Sequence, residues 1–278
     1  MFFVDAASAI DSSDASWDLF LVAEVAPGAV DIAGFATTYS VYRYPHGSRL
    51  RLSQVLVLPL HQGRGVGSLL LKSVVAQADK AGATDLTFED PTEQLQRMRD
   101  KLDLQRALGL GWPREAAEQA VAKALADKGP AQEAGGSSGA GSSSSAAMAP
   151  RYLLAPPKEL VERLQEELRL SKQHALRVHE LVVVLLAAPR KGGEALVEAM
   201  VRGRLQADLV AAQKNGAGKV LTDTPSGFVM CKAKGGLVPA GAVEGVSAEE
   251  KAAAVEEAVE AQLQQLKAVV AAVAASAQ

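Results

Sequence analysis

The sequence predicts an α+β fold in which strands and helices mix in the first half and helices dominate the second. Three observations carry that expectation. β-rich runs stand at residues 17–25, 32–44 and 50–58, each closed by a Pro or Gly turn. A glycine-rich turn at 62–67 leads from the third run straight into a helical period. Residues 129–150 are then Gly/Ser/Ala-rich with no hydrophobic period, and only helical or irregular signals follow. A chain of 278 residues holds one large domain or two ordinary ones. The expected division is a first domain over 1–128, a disordered linker over 129–150 and a helical region over 151–278 that turns irregular near 189–246.

Taken in order, WDLFLVAEV at 17–25 is rich in β-formers, and Pro27-Gly28 turns the chain. The run 32–44 carries Thr37, Thr38, Tyr39, Val41, Tyr42 and Tyr44. LRLSQVLVL at 50–58 ends in continuous apolar residues, which suggests burial on both faces. Residues 65–80 place Val66, Leu69, Leu70, Val74 and Ala78 at helical spacing. A short buried strand is expected at 83–88, and helices at 92–108, 112–128, 157–170 and 171–188. Ser247 followed by Glu250 is a capping-box signature before a long Ala/Glu/Gln helix.

Composition removes several functions. Hydrophobic residues make up 48% and charged residues 22%, so most of the chain can bury a core. The formal charge of -3, from 29 basic and 32 acidic residues, excludes binding to nucleic acid driven by phosphate neutralisation. The single cysteine, Cys231, excludes a disulfide framework and a Cys-rich zinc site, and His46, His61, His174 and His179 make no metal pattern. No metal is expected. The N-terminus lacks a basic region, and the apolar run 181–188 is far short of the ~20 residues that span a bilayer. A soluble, intracellular protein is expected.

The strongest chemical signal is VLVLPLHQGRGVGSLLL, residues 55–71. Three alternating glycines, Gly63, Gly65 and Gly67, let backbone approach a ligand without Cβ obstruction. The N–H groups of the first helical turn point at the same place, and the helix dipole favours an anion there. Arg64 adds charge. The pattern is G-x-G-x-G, so it is neither the dinucleotide fingerprint G-x-G-x-x-G nor a P-loop, which needs G-K-[ST]. A plain Gly-rich turn without ligand is the alternative.

What remains, Gln/Arg-x-x-Gly-x-Gly/Ala on Gln62, Gly65 and Gly67, resembles the acetyl-coenzyme A motif of the GNAT superfamily. The segments SQVLVLPLHQGRGVGSLLL and LTFEDPTEQLQRMRD look like the catalytic subunits of type B histone acetyltransferases. So do the opening MFFVDAASAIDSSDASWDLFLV, the strand with Tyr39, Tyr42, Tyr44 and Pro45, and LSKQHA at 170–175. The resemblance implies a mixed, mainly antiparallel sheet with flanking helices, followed by the helical region. That family carries a further N-terminal domain before this core, and it usually has a glutamate where this chain has Asp5. The insertion of this chain at 129–150 is unusual for that family.

Several roles follow as implications of the resemblance. Acetyl-coenzyme A is the donor, held by Gln62, Gly63, Arg64, Gly65, Val66, Gly67 and Ser68, with the backbone of Val55, Leu56 and Val57 pairing with the pantetheine arm. Arg99 either meets the coenzyme or is a solvated surface arginine. Tyr39, Tyr42 and Tyr44 line the lysine channel; without the family they read as ordinary strand faces. The acceptor is a lysine of newly made histone tails, by resemblance the fourth core histone, with a WD-repeat histone chaperone as partner. The locations are nucleus and cytoplasm.

The chemistry asks for a base, because free lysine with a pKa of ~10.4 is almost all ammonium at neutral pH. Glu89, ending a buried strand beside the groove, is the candidate, with partial desolvation expected to raise its pKa. Asp90 and Asp5 support it as relay or orienting carboxylates. Glu89 and Asp90 read alternatively as acids capping the helix that starts near Thr92. Two further functions stay open: acetylation of a small amine, and a truncated relative that binds coenzyme or partners without turnover.

Overall fold

The computed structural model describes residues 10–45, 47–127, 154–214, 223–224, 227–228 and 248–276. The expected α+β architecture is present. Strands β1 (Trp17–Ala26), β2 (Ala29–Tyr42), β3 (Ser48–Val57) and β4 (Asp85–Phe88) form a sheet in sequence order. The first three run antiparallel, and β4 joins β3 in parallel. Helix α1 (Val66–Lys80) supplies the crossover from β3 to β4 that a parallel pair requires. Then come α2 (Glu93–Leu110), α3 (Trp112–Asp127), α4 (Lys158–Leu168), α5 (Lys172–Ala187), α6 (Gly193–Lys214) and α7 (Ala248–Ser276), with two-residue strands β5 (Asp223–Thr224) and β6 (Gly227–Phe228) between α6 and α7.

β1 and β2 meet in a tight hairpin because Gly28, at φ 82, takes the left-handed conformation that Pro27-Gly28 permits. β2 therefore starts at Ala29, before the expected position, and ends at Tyr42 instead of Tyr44. The register slips twice. One slip lies between Val22 and Ala23 against Gly34 and Ile32, the other between Thr37 and Thr38 against Gln54 and Leu52. The second leaves Ser53 as the extra residue of β3, a bulge that bends the strand.

β4 pairs with β3 only from Arg49↔Asp85 to Leu52↔Phe88. One further link follows, where the Glu89 N–H donates to the Leu52 carbonyl at 2.9 Å. Beyond it the two strands part. Residues 54–57 keep β2 on one side, and no strand among the described residues pairs with the other. Burial on both faces of the β3 end is therefore a failed expectation: Leu50 and Leu52 are buried, but Val55, Leu56 and Val57 are only half-buried.

By contact, the described chain forms two compact units. One holds residues up to Arg99 with 162–175 and 224–228; the other holds 100–161, 176–223 and 229–278. In the first, α1 buries Val66, Leu70, Leu71, Val74, Val75 and Ala78 against the sheet residues Ala33, Ala36, Leu50 and Leu52. Leu69, expected on that apolar side, is 52% exposed instead. β4 starts on a buried carboxylate: Asp85 accepts from Arg49 at 2.7 and 2.8 Å and from Arg43 at 3.1 Å. Arg43 thus belongs to an ion pair.

In the second unit α5 is buried nearly all round through Val178, Leu181, Val182, Val183, Val184, Leu186 and Ala187, as a central helix must be. It packs with α3, α6 and α7 in one cluster containing Val121, Leu196, Val201, Val259, Leu266 and Val269. The apolar run at 181–188 is thus core, and no described helix is long and apolar enough to cross a membrane. Residues 193–214, read from sequence as irregular, form the 22-residue helix α6. Gly192, Gly193 and Gly203 mask its period, while Leu196, Val197, Met200 and Val201 supply a buried stripe at helical spacing. The expected linker at 129–150 lies outside the described residues.

Candidate functional site

The turn after β3 is built from short-range bonds. The Leu58 N–H donates to the Ala33 carbonyl at 2.9 Å, Pro59–His61 makes one 3-10 turn, and the Gln62 side-chain amide donates to the Val57 carbonyl at 3.0 Å. Gly63 and Gly65 then sit at φ 73 and φ 85, with no atom within 4 Å of where a Cβ would stand. Gly65 is the N-cap of α1, and no side chain caps that end. No side-chain cap satisfies the first-turn N–H groups of α1, and the helix dipole adds partial positive charge to them.

Gly67 has another job. A Cβ there would lie 3.2 Å from Met98 Cε, 3.4 Å from Met98 Sδ and 3.7 Å from Val57 Cγ2, so its glycine lets α1 approach α2 and the end of β3. The adjoining Ser68 hydroxyl faces Met98 Sδ at 3.8 Å. Val66 is buried in the core, so it contributes its amide alone to the open side.

Arg64 projects between the two open glycines and is engaged by the protein. Its Nη2 lies 2.6 Å from Glu24 Oε1 and its Nη1 lies 3.2 Å from His61 Nδ1. His61 is 4% exposed and also reaches Asp31 at 3.1 Å through Nε2. Nothing in the sequence marked Glu24 or Asp31, because only strand register brings them to the turn.

Glu89 stands where β4 leaves β3, held by its own N–H on Leu52. Its side chain and that of Asp90 are exposed. The chain alone therefore does not give Glu89 the burial that sequence reasoning invoked; a bound ligand would have to supply it. Asp90 has φ 36, in the left-handed region that Asp tolerates better than most residues. Neither acid is needed as the α2 cap, since the Thr92 hydroxyl accepts the Leu95 N–H at 3.3 Å.

The remaining candidates are scattered. Asp5 lies outside the described residues. Tyr39 stacks at a tilt on Trp17, with ring centroids 4.9 Å apart. Tyr42 lies an odd number of residues along the same strand, so it faces the opposite side of the sheet; it is 71% exposed and its hydroxyl donates to the Pro45 carbonyl. Tyr44 lies beyond the strand and is 86% exposed. The structure does not bring the three tyrosines together. Arg99 is 2% exposed, donates to the Leu86 carbonyl at 2.9 Å and lies 4.0 Å over the Phe88 ring, which braces the end of β4. It is not a solvated surface arginine.

An uncapped helix N-terminus, two open left-handed glycines and an unpaired strand edge adjoin one another on a β3–α1 turn. Residues 5–101 match the acetyltransferase (GNAT) family. The chain carries a GNAT acetyltransferase domain. The chain is also similar to relatives described as histone acetyltransferase type B catalytic subunits. The Arabidopsis thaliana protein is 29% identical over 232 residues, covering 82% of this chain and 46% of the relative. The Zea mays protein is 30% identical over 66% of this chain and 36% of its own length. The Rattus norvegicus protein reaches 39% identity over 36% of this chain and 25% of its own length. The chain spans less than half of each of these relatives.

The donors present in the GNAT domain fit acetyl-coenzyme A. Backbone amides at an uncapped helix start suit a diphosphate, and free strand N–H and C=O groups suit the amide-bearing arm. Among the described residues no group of three or more His, Cys, Asp or Glu could hold a metal ion.

Proposed function

We propose that the chain is a lysine N-acetyltransferase of the type B histone kind, moving acetyl from acetyl-coenzyme A to the ε-amine of a histone tail. The observation that carries this reading is the parting of β3 from β4 beside the uncapped start of α1, with Glu89 at the fork. The relatives named as histone acetyltransferases support the substrate class. Exposed acids at Glu89 and Asp90 suit a cationic peptide.

In this reading the open edge of β3 at Val55, Leu56 and Val57 aligns the arm and offers an N–H to the thioester oxygen as negative charge develops. The amides of Gly63, Gly65, Val66, Gly67 and Ser68 hold the diphosphate. Glu89 accepts the ammonium proton, directly or through water, and leaves a neutral amine that attacks the thioester carbon; the C–S bond then breaks, and the coenzyme departs as a thiol carrying the proton that the nitrogen sheds. Asp90 orients the ammonium. Holding donor and acceptor on one rigid strand pair converts a two-body encounter into a local step.

Glu89→Gln tests the assignment. It keeps shape and hydrogen bonding but cannot take the proton, so kcat on a histone-tail peptide should fall ~100-fold or more with coenzyme KM nearly unchanged. Wild-type turnover by Glu89→Gln would remove the assignment. A polyamine acetylated as fast as the peptide would instead point to a small-amine enzyme.

A further inference from the structure

Beside the turn lies a chain of side chains that the proposed reaction does not use: Glu24, Arg64, His61 and Asp31. Glu24 and Asp31 are direct cross-strand partners in the β1–β2 hairpin. Like charges in that relation repel, so the pair needs cations or donors between its members and the rest of the protein. The structure supplies them. Arg64 Nη2 meets Glu24 at 2.6 Å, and His61 Nε2 meets Asp31 at 3.1 Å.

The hydrogen-bond inventory fixes one arrangement. A guanidinium only donates, so His61 Nδ1, 3.2 Å from Arg64 Nη1, is the bare acceptor. Nε2 then carries the proton and donates to Asp31 at 3.1 Å. That assignment gives both nitrogens a partner in a ring that is only 4% exposed. Arg64 is thus gripped from two sides by the hairpin and by a buried ring.

The grip matters because of what flanks it. Gly63 and Gly65, at φ 73 and φ 85 in open space, are the residues with most backbone freedom to lose. Arg64 is the side chain between them and is the means of fixing the turn from outside. We propose that Glu24, His61 and Asp31 are positioning residues that fasten Arg64, and through it the turn, in the shape that receives the coenzyme diphosphate; this rests on reading that turn as the coenzyme site. In this proposal Arg64 acts as a fastener, with one contact from each terminal nitrogen to protein, Nη2 to Glu24 and Nη1 to His61.

A double-mutant cycle on the full chain tests the proposal, read by calorimetric titration with acetyl-coenzyme A and by steady-state kinetics. Glu24→Ala and Arg64→Ala should each weaken coenzyme binding about three- to tenfold, and the double variant should be no worse than either. The loss should fall on coenzyme KM and spare kcat, with the thermal midpoint little changed. Arg64→Lys should recover part of the binding. If Arg64→Ala weakens binding while Glu24→Ala leaves it unchanged or tightens it, Arg64 is a phosphate ligand that Glu24 competes for, and the proposal is overturned. Strictly additive losses overturn it too. Gly65→Asp separates the two layers of the argument. If that variant binds coenzyme as the wild type does, the reading of the turn itself fails, and the network proposal with it.

Discussion

Asp85 shows how much a single buried group can constrain this sheet. It is 1% exposed at the first residue of β4, and its carboxylate satisfies Arg49 twice and Arg43 once. Those bonds draw the Arg49 guanidinium further above its ordinary pKa, mainly through the hydrogen bond to Asp85. Asp85→Asn would leave two guanidiniums facing an amide that can accept only at one oxygen. We expect a loss of about 2–3 kcal/mol, checked by urea unfolding. An unchanged midpoint would mean that solvent satisfies both arginines. At this scale the sequence was readable where the signal is local. Gln62, Gly63, Gly65 and Gly67 mark the turn from β3 into α1 by their local spacing. Arg43, Glu24 and Asp31 do not, because their partners Asp85, Arg64 and His61 arrive only through strand pairing.

Elements whose period is unbroken were legible in order and type. α1 follows the spacing of Leu70, Val74 and Ala78, and β1 ends at the Pro27-Gly28 turn. Two features were not. The open edge of β3 depends on where β4 stops pairing, at Leu52↔Phe88, and no property of Val55, Leu56 or Val57 announces that. α6 was hidden by glycines at 192, 193 and 203, although Leu196, Val197, Met200 and Val201 are buried against the helical cluster. Tertiary packing overrides weak propensity there. Leu196→Ala should therefore behave as a core truncation, lowering stability by about 2–5 kcal/mol in thermal or denaturant unfolding. A loss under ~0.5 kcal/mol would show that α6 contributes little to that core.

Across the whole molecule, the two compact units have separate sources of stability, a sheet braced on α1 and a cluster of helices around α5. α5 carries His179, 4% exposed, whose Nε2–H donates to the Leu154 carbonyl at 3.0 Å. Burial holds its pKa below the ordinary 6.5, against the smaller opposing effect of that hydrogen bond. Below pH 6.5 the unfolded chain then binds more protons than the folded one, so stability falls as pH drops from 6.5 toward the lowered folded value. The thermal midpoint should fall in that window, and His179→Gln should flatten the fall. A midpoint unchanged between pH 7 and pH 5.5 would contradict it.

The account turns on one place, the fork where β3 parts from β4 ahead of an uncapped helix. A crystal structure of the full chain with coenzyme A bound tests it most directly. The account predicts the diphosphate against the amides of Gly63, Gly65, Val66, Gly67 and Ser68, with the arm along Val55, Leu56 and Val57 and its sulfur near Glu89. Phosphates lodged away from the start of α1, or an arm that leaves the β3 edge bare, would contradict it.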